Sequence, residues 1–281
     1  MPELPEVETI MQGLIPVLEG RRLEHISVNR PDLRQPFPPA LKVSLYNHKV
    51  LKLRRRAKYI LADIDNGLTL LIHLGMSGRV FIDYPPLAKT LRKHEHFSMV
   101  TDQNVKIALI DPRRFGIVSL FRTKKEKEFP LLRHLGMEPL AADILPSQEL
   151  YEIFKQKRSP IKSVLLAQKL IAGLGNIYVC EALFRAAINP ERPAISLSLP
   201  EVSSLCEVIP AILREAINAG GSTLRDYVRT DGQKGAFQDL HQVYGKEGKP
   251  CPICPGMPGC AGIKRIMQAG RSSFYCPKRQ Q

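Results

Sequence analysis

The first residues able to do chemistry stand at the start of the chain, Met1-Pro2-Glu3-Leu4-Pro5-Glu6-Val7-Glu8-Thr9. Removal of methionine before so small a residue exposes the secondary amine of Pro2. An α-amino group titrates near ~8, against ~10.4 for lysine, so more of it is unprotonated at neutral pH. Such an amine is a nucleophile that can form an imine. Glu3 and Glu6 follow at once and can carry protons. Taken alone, the segment reads more readily as a proline-rich arm with solvated acids. The rest of the chain shifts that balance.

The densest basic run is Arg54-Arg55-Arg56-Ala57-Lys58. Alternation along a strand puts Arg54, Arg56 and Lys58 on one face. This is either a solvated face or a phosphate track. Next, Leu71-Ile72-His73-Leu74-Gly75-Met76-Ser77-Gly78-Arg79 sets His73 and Arg79 around a glycine-flanked turn with Met76 at its tip. A methionine there is poorly placed for a core and suits a wedge in a base stack. Asp111-Pro112-Arg113-Arg114-Phe115-Gly116 is a second tip, combining guanidinium groups with an aromatic ring. That combination stacks well on bases. A buried phenylalanine beside a surface ion pair is the competing reading.

Ala172-Gly173-Leu174-Gly175-Asn176 leads into a helix. It is either a phosphate site at a helix N-terminus or a plain corner between helices. The tail carries Cys251, Cys254, Cys260 and Cys276. Clustered cysteines in an intracellular chain point to metal rather than disulfides. Cys251-Pro252-Ile253-Cys254 is a zinc knuckle. The second knuckle is defective, because Pro277, Lys278 and Arg279 follow Cys276. Cys260 is available as a fourth thiolate. Residues 268–275 read as a hairpin with Arg271 at its tip, suited to a groove or a phosphate. Cys180 and Cys206 sit in apolar helical patterns and read as core.

These groups need elements to position them. Runs at 23–28, 50–53, 58–64, 68–74 and 106–110, rich in Val, Ile and Leu and separated by turn signals, predict a β-sandwich or flattened barrel over roughly residues 20–122. Val7, Ile10, Met11, Leu14 and Ile15 recur at helical spacing and predict a helix on that β layer. Helices are expected at 147–156, 160–168, 177–187 and 199–219, the last ended by Gly220-Gly221. The net charge of +14, from 41 Lys+Arg against 27 Asp+Glu, calls for a polyanion. Nucleic acid comes first. The lack of tryptophan and of a basic amphipathic helix argues against a membrane surface. No apolar run reaches the ~18 residues of a membrane helix, and no basic-then-apolar leader opens the chain. An intracellular protein is expected.

The chain resembles the bacterial formamidopyrimidine-DNA glycosylases over essentially its whole length. The resemblance rests on the opening residues 2–9, Arg56-Ala57-Lys58-Tyr59, His73-Leu74-Gly75-Met76-Ser77-Gly78, residues 111–116, Gly175-Asn176-Ile177-Tyr178 and the hairpin at 270–276. It implies an α+β chain: an N-terminal β-sandwich with an N-terminal helix (1–133), a helix-two-turn-helix domain (134–235) and a zinc-finger hairpin (236–281). It implies a monomer that excises oxidised purines from damaged double-stranded DNA and cleaves the strand by β,δ-elimination. By position, Pro2 would be the nucleophile, Glu3 the general acid and Glu6 its support, with Lys58 on a phosphate. Met76, Arg113 and Phe115 would fill the hole left by the extruded base. Asn176 and Arg271 would hold flanking phosphates, with His73 a further DNA contact. One structural Zn2+ per chain is expected from Cys251, Cys254, Cys260 and Cys276, since Arg279 stands where the family places its last cysteine. Leu4 and Val7 disfavour the related branch that acts on oxidised pyrimidines. The remaining alternative is a DNA binder that has lost the chemistry, against which Pro2, Glu3 and Lys58 speak.

Overall fold

The computed structural model describes residues 2–85, 91–223, 227–255 and 257–281. The chain divides into two compact units, one of residues 1–134 with 217–238, the other of residues 135–216 with 239–281.

The first unit opens with helix α1 (Leu4–Leu18), started by Pro5 in its first turn. Of its predicted apolar stripe, Val7, Ile10, Met11 and Leu14 are buried in the core and Ile15 packs against it partly buried, with Leu18 adding a further buried side chain. The strands are β1 (Leu23–Val28), β2 (Val50–Arg56), β3 (Tyr59–Ile64), β4 (Leu68–His73), β5 (Arg79–Asp83), β6 (Glu95–Thr101), β7 (Lys106–Ile110) and β8 (Ile117–Arg122), with a short helix α2 (Leu41–Leu45) after β1. They form two antiparallel four-stranded sheets, ordered β1-β6-β7-β5 and β2-β3-β4-β8. Leu53, Ile60, Leu70 and Ile72 of one sheet and Phe97, Met99, Ile107 and Leu109 of the other belong to one apolar core. The expected β-sandwich is therefore present. Strand β6, Glu-His-Phe-Ser-Met-Val-Thr, lacks an apolar run, yet it is a central strand with polar residues His96, Ser98 and Thr101 buried. Paired on both edges, it needs no apolar run to be held.

The expected basic face is not formed. Strand β2 stops at Arg56, which pairs with Tyr59. Ala57 and Lys58 form the intervening turn, Ala57 in the left-handed region at φ +52°. The alternation that would align Arg54, Arg56 and Lys58 is broken there. Arg54 is further committed to Asp63 at 2.7 Å and Glu126 at 2.8 Å.

The second unit holds helices α3 (Ser147–Phe154), α4 (Ile161–Leu166) and α5 (Asn176–Arg185), most of α6 (Leu199–Asn218), and the hairpin β9 (Lys264–Gln268) and β10 (Arg271–Tyr275). The helices lie where the periodicity predicts, with α5 starting one residue earlier, at Asn176. Cys180 and Cys206 are buried. Among the described residues no helix is long and apolar enough to cross a membrane.

Candidate active site and nucleic-acid interface

In the first unit the N-terminal acids are buried rather than solvated. Glu3 is 3 % exposed and Glu6 fully buried. Glu6 is the third residue of α1, and its Oε2 accepts the Glu3 N–H at 2.8 Å, one half of a capping box. Its Oε1 accepts the Ser222 N–H at 2.7 Å. The contact is close: Gly221 sits at φ +81°, and a Cβ there would come within 3.0 Å of Glu6. Tyr227 packs here too, its hydroxyl donating to the Gly220 carbonyl at 3.0 Å. Burial first, then the Glu6 charge, pushes the Tyr227 phenol well above its usual range. Sequence reasoning missed Ser222 and Tyr227. Their only signal was the Gly220-Gly221 pair, which reads as a helix stop.

Lys58 is 5 % exposed on its turn in the same unit. His73 ends β4, its ring tilted at 41° against that of Tyr59 with centroids 4.9 Å apart. Its Nδ1 accepts the Gly75 N–H at 3.1 Å, which leaves the proton of the neutral ring on Nε2. Burial, then the charges of Lys58 and Arg34, push its pKa down to about 4.

The two predicted tips lie side by side. Met76 and Phe115 are exposed apolar side chains, and the Arg113 guanidinium lies over the Phe115 ring at 5.0 Å. The backbones touch at Gly75, where a Cβ would meet the Phe115 carbonyl carbon at 2.3 Å. Asp111, fully buried, joins them. Its Oδ1 accepts the Ser77 hydroxyl at 2.6 Å and its Oδ2 the Gly116 N–H at 2.7 Å. Ser77 Oγ in turn accepts the Arg113 N–H at 3.1 Å. Neither Asp111 nor Ser77 was singled out from sequence, where both read as ordinary turn residues.

In the second unit, Asn176 opens α5 and its Nδ2 donates to the Ser272 carbonyl at 2.8 Å. Lys162, fully buried on α4, donates to the same carbonyl at 2.9 Å and to Ser273 Oγ at 2.6 Å. Both grip the hairpin just beyond exposed Arg271, the first residue after a turn in which Ala269 and Gly270 have φ of +46° and +73°. Such a pair of positive φ values is the tight turn that suits hairpin twist. The sequence thus brings Asn176 and Arg271 to one place. Lys162 was missed, its signal being a lysine inside the apolar helix Ile-Lys-Ser-Val-Leu-Leu.

Cys251, Cys254, Cys260 and Cys276 converge, their Sγ atoms all within 4.8 Å of one another. Cys254 lies 3.3 Å from Cys260 and 3.5 Å from Cys276, and Cys260 lies 3.8 Å from Cys276. Thiolates about 2.3 Å from a tetrahedral zinc stand about 3.8 Å apart, so the four fit a metal. Arg279 has a separate task. It donates to the carbonyls of Phe184 and Arg185, both at 3.0 Å, and covers the Phe184 ring. It thereby reaches two carbonyls in the last turn of α5, where intrahelical donors run out, although the Phe184 carbonyl also accepts the Ala187 N–H at 3.1 Å.

Comparison with known proteins agrees with this layout. The formamidopyrimidine-DNA glycosylase N-terminal domain matches residues 1–118, and the H2TH domain of the same family matches residues 135–228. The chain belongs to the formamidopyrimidine-DNA glycosylase family. It is 57 % identical over 281 residues to the formamidopyrimidine-DNA glycosylase of Gluconobacter oxydans, covering all of both chains. It is 50 % identical to that of a Ruegeria species, again over all of both chains. Among solved structures, the Lactococcus lactis Fpg in complex with abasic-site DNA superposes with a TM-score of 0.89 at 32 % identity over the full length of both chains. The MutM (Fpg) protein of Thermus thermophilus gives 0.85 at 37 % identity, over 99 % of this chain and 98 % of that one.

The state of His73 carries a stability consequence. Its folded pKa, about 4, lies below the ~6.5 of an unfolded histidine, so the unfolded chain binds the proton more tightly. The stability it contributes is complete above pH ~6.5 and is lost as pH falls towards 4, by up to about 3 kcal/mol. The urea-unfolding free energy of the parent should drop over that window by about that much more than in His73→Gln. Equal pH profiles for the two proteins would show that the ring charges freely in the fold.

Proposed function

We propose that the amine of Pro2, once Met1 is removed, carries out the reaction of this family. As a member of it, the chain is a base-excision repair enzyme, a DNA glycosylase with AP-lyase activity that acts on oxidised purines. The observation that carries the assignment to Pro2 is the burial of the two acids that follow it in the chain, Glu3 and Glu6, 3 % and 0 % exposed. Acids held out of water at a chain start serve a reacting group better than they serve solubility.

An oxidised base must leave the stack before its glycosidic carbon can be reached. Met76, Arg113 and Phe115 enter the space it vacates, which offsets part of the cost of extrusion. The Pro2 nitrogen forms a bond to C1′ as the C1′–base bond breaks and the base departs with a proton. Glu3 protonates the sugar ring oxygen as the ring opens, which leaves an iminium between Pro2 and C1′. The iminium acidifies the C2′ proton. Its removal expels the 3′ phosphate, a second elimination expels the 5′ phosphate, and water releases Pro2. Lys58 holds a phosphate at the lesion, and neutral His73 offers Nε2–H as a donor. Asn176 and Arg271 hold flanking phosphates from the second unit. Abasic-site DNA bound to the Lactococcus lactis Fpg supports damaged duplex DNA as the partner.

The four cysteines hold one structural zinc, which would order the short glycine- and proline-rich tail. The chain works as a monomer in the bacterial cytoplasm, on the nucleoid. The proposed chemistry belongs to the first compact unit, residues 1–134 with 217–238, and the helical DNA grip and the hairpin to the second, residues 135–216 with 239–281.

Pro2→Gly should keep its affinity for lesion-containing duplex and lose strand cleavage by on the order of 100-fold or more. Cleavage at the parental rate would remove Pro2 from the role. DNA affinity should fall linearly in log–log form with salt, by about 0.9 per phosphate neutralised. Arg271→Gln should lower that slope by about 1, and Arg54→Gln should leave it unchanged because Arg54 is already paired with Asp63 and Glu126. An equal drop in both variants would mean that Arg54 leaves its partners for DNA. The purified protein should contain about one zinc per chain, and Cys260→Ser should lose it. A parent without zinc, or a variant that keeps it, would refute the ligand set.

A further inference from the structure

We propose that Arg55 and Glu8 form a positioning pair that sets how far α1 lies along β2, and thereby where Pro2 stands relative to Lys58. The proposal rests on the roles assigned above to Pro2 and Lys58. Those two groups are carried by different elements, the start of α1 and the turn between β2 and β3. The helix is attached to the sheet chiefly by its apolar stripe, and burial of apolar surface is non-directional. It tolerates a small slide of the helix. The chemistry does not, because a displacement of about 1 Å can cost on the order of 100-fold in rate.

Directional contacts remove that freedom. Arg55 Nε donates to Glu8 Oε2 at 2.6 Å, with the two side chains only 8 % and 16 % exposed. The other oxygen of Glu8 accepts Gln12 Nε2 at 2.8 Å, so both oxygens are engaged. Arg55 Nη1 donates to the Ala57 carbonyl at 3.0 Å. That carbonyl belongs to the peptide unit leading into Lys58. One guanidinium therefore holds the helix that begins two residues after the proposed nucleophile and the backbone that leads into the proposed phosphate-binding lysine. Ala57 is fully buried in the left-handed region, so this turn is held in one conformation. The far end of α1 has its own tie, the Leu53 N–H donating to Glu19 Oε1 at 2.6 Å. The helix is thus fastened to β2 at both ends, and only one fastening adjoins the reacting groups.

That asymmetry supplies the test. Single-turnover excision from a duplex carrying 8-oxoguanine opposite cytosine is measured for the parent, Arg55→Lys, Glu8→Gln and Glu19→Gln. Thermal unfolding and affinity for an uncleavable abasic-analogue duplex are measured alongside. Arg55→Lys keeps the charge but cannot reach two acceptors in a fixed plane. Arg55→Lys and Glu8→Gln should each lower the excision rate about tenfold or more with affinity within about twofold of the parent. Glu19→Gln should lower the unfolding temperature by a comparable amount and leave the rate within about twofold. The proposal is overturned if the three variants lose rate in proportion to their unfolding temperatures, if the Arg55 and Glu8 variants keep the parental rate, or if they lose affinity as much as rate. Borohydride trapping of the parent separates this from the reading it rests on. A parent that traps while the variants match it overturns the positioning pair alone, whereas a parent that does not trap overturns the role of Pro2.

Discussion

A single buried carboxylate organises the catalytic unit. Glu6 has no exposed surface, and a carboxylate kept from water is costly unless each oxygen is satisfied. Its partners are the backbone N–H groups of Glu3 and Ser222. One lies at the very start of the chain, and the other belongs to a segment 216 residues beyond Glu6. The fold must therefore bring residues 217–238 back onto the first unit, and the chain start must be ordered. Gly221 permits the approach, and Tyr227 closes over it with its hydroxyl on Gly220. An N-terminal amine is ordinarily the most mobile nucleophile a protein has. Here the proposed nucleophile, Pro2, directly precedes Glu3, whose backbone N–H is held by Glu6.

The same economy recurs at the loops proposed to face DNA. Two turns carry the side chains proposed to replace the extruded base, and neither turn has a core of its own. Asp111 supplies one, accepting from Ser77 and from Gly116 while Ser77 accepts from Arg113. Gly75 lets the backbones meet. Wedge residues that must enter a base stack need rigid mounts, because a mobile wedge would lose its ordering entropy at the moment of insertion. In the second unit, Lys162 and Asn176 share the Ser272 carbonyl and so fix the hairpin behind Arg271.

Local patterns made much of this legible. The apolar spacing of α1 and of the later helices announced them, and the glycine-flanked tips announced Met76 and Phe115. The reactive set proposed here, Pro2, Glu3 and Lys58, was readable chiefly through the family resemblance, since no periodicity distinguishes a catalytic acid from a solvated one. What stayed hidden depends on contacts between distant residues. Alternation placed Arg54 beside Lys58, yet Asp63, Glu126 and a left-handed Ala57 separated them. Ser222, Asp111 and Lys162 carry only faint marks in sequence, because their importance lies in burial and in the partner that burial demands. Arg279 was visible as a missing cysteine, but its use on the α5 carbonyls was not.

The central claim is that the reacting atom is the Pro2 nitrogen. It is tested most directly by reducing the reaction on an 8-oxoguanine duplex with borohydride, digesting the trapped protein and locating the sugar remnant by tandem mass spectrometry. The account predicts a protein lacking Met1, with the remnant on the Pro2 nitrogen. A remnant on Lys58 or on any other lysine, or the absence of an adduct while strand cleavage proceeds, would contradict it.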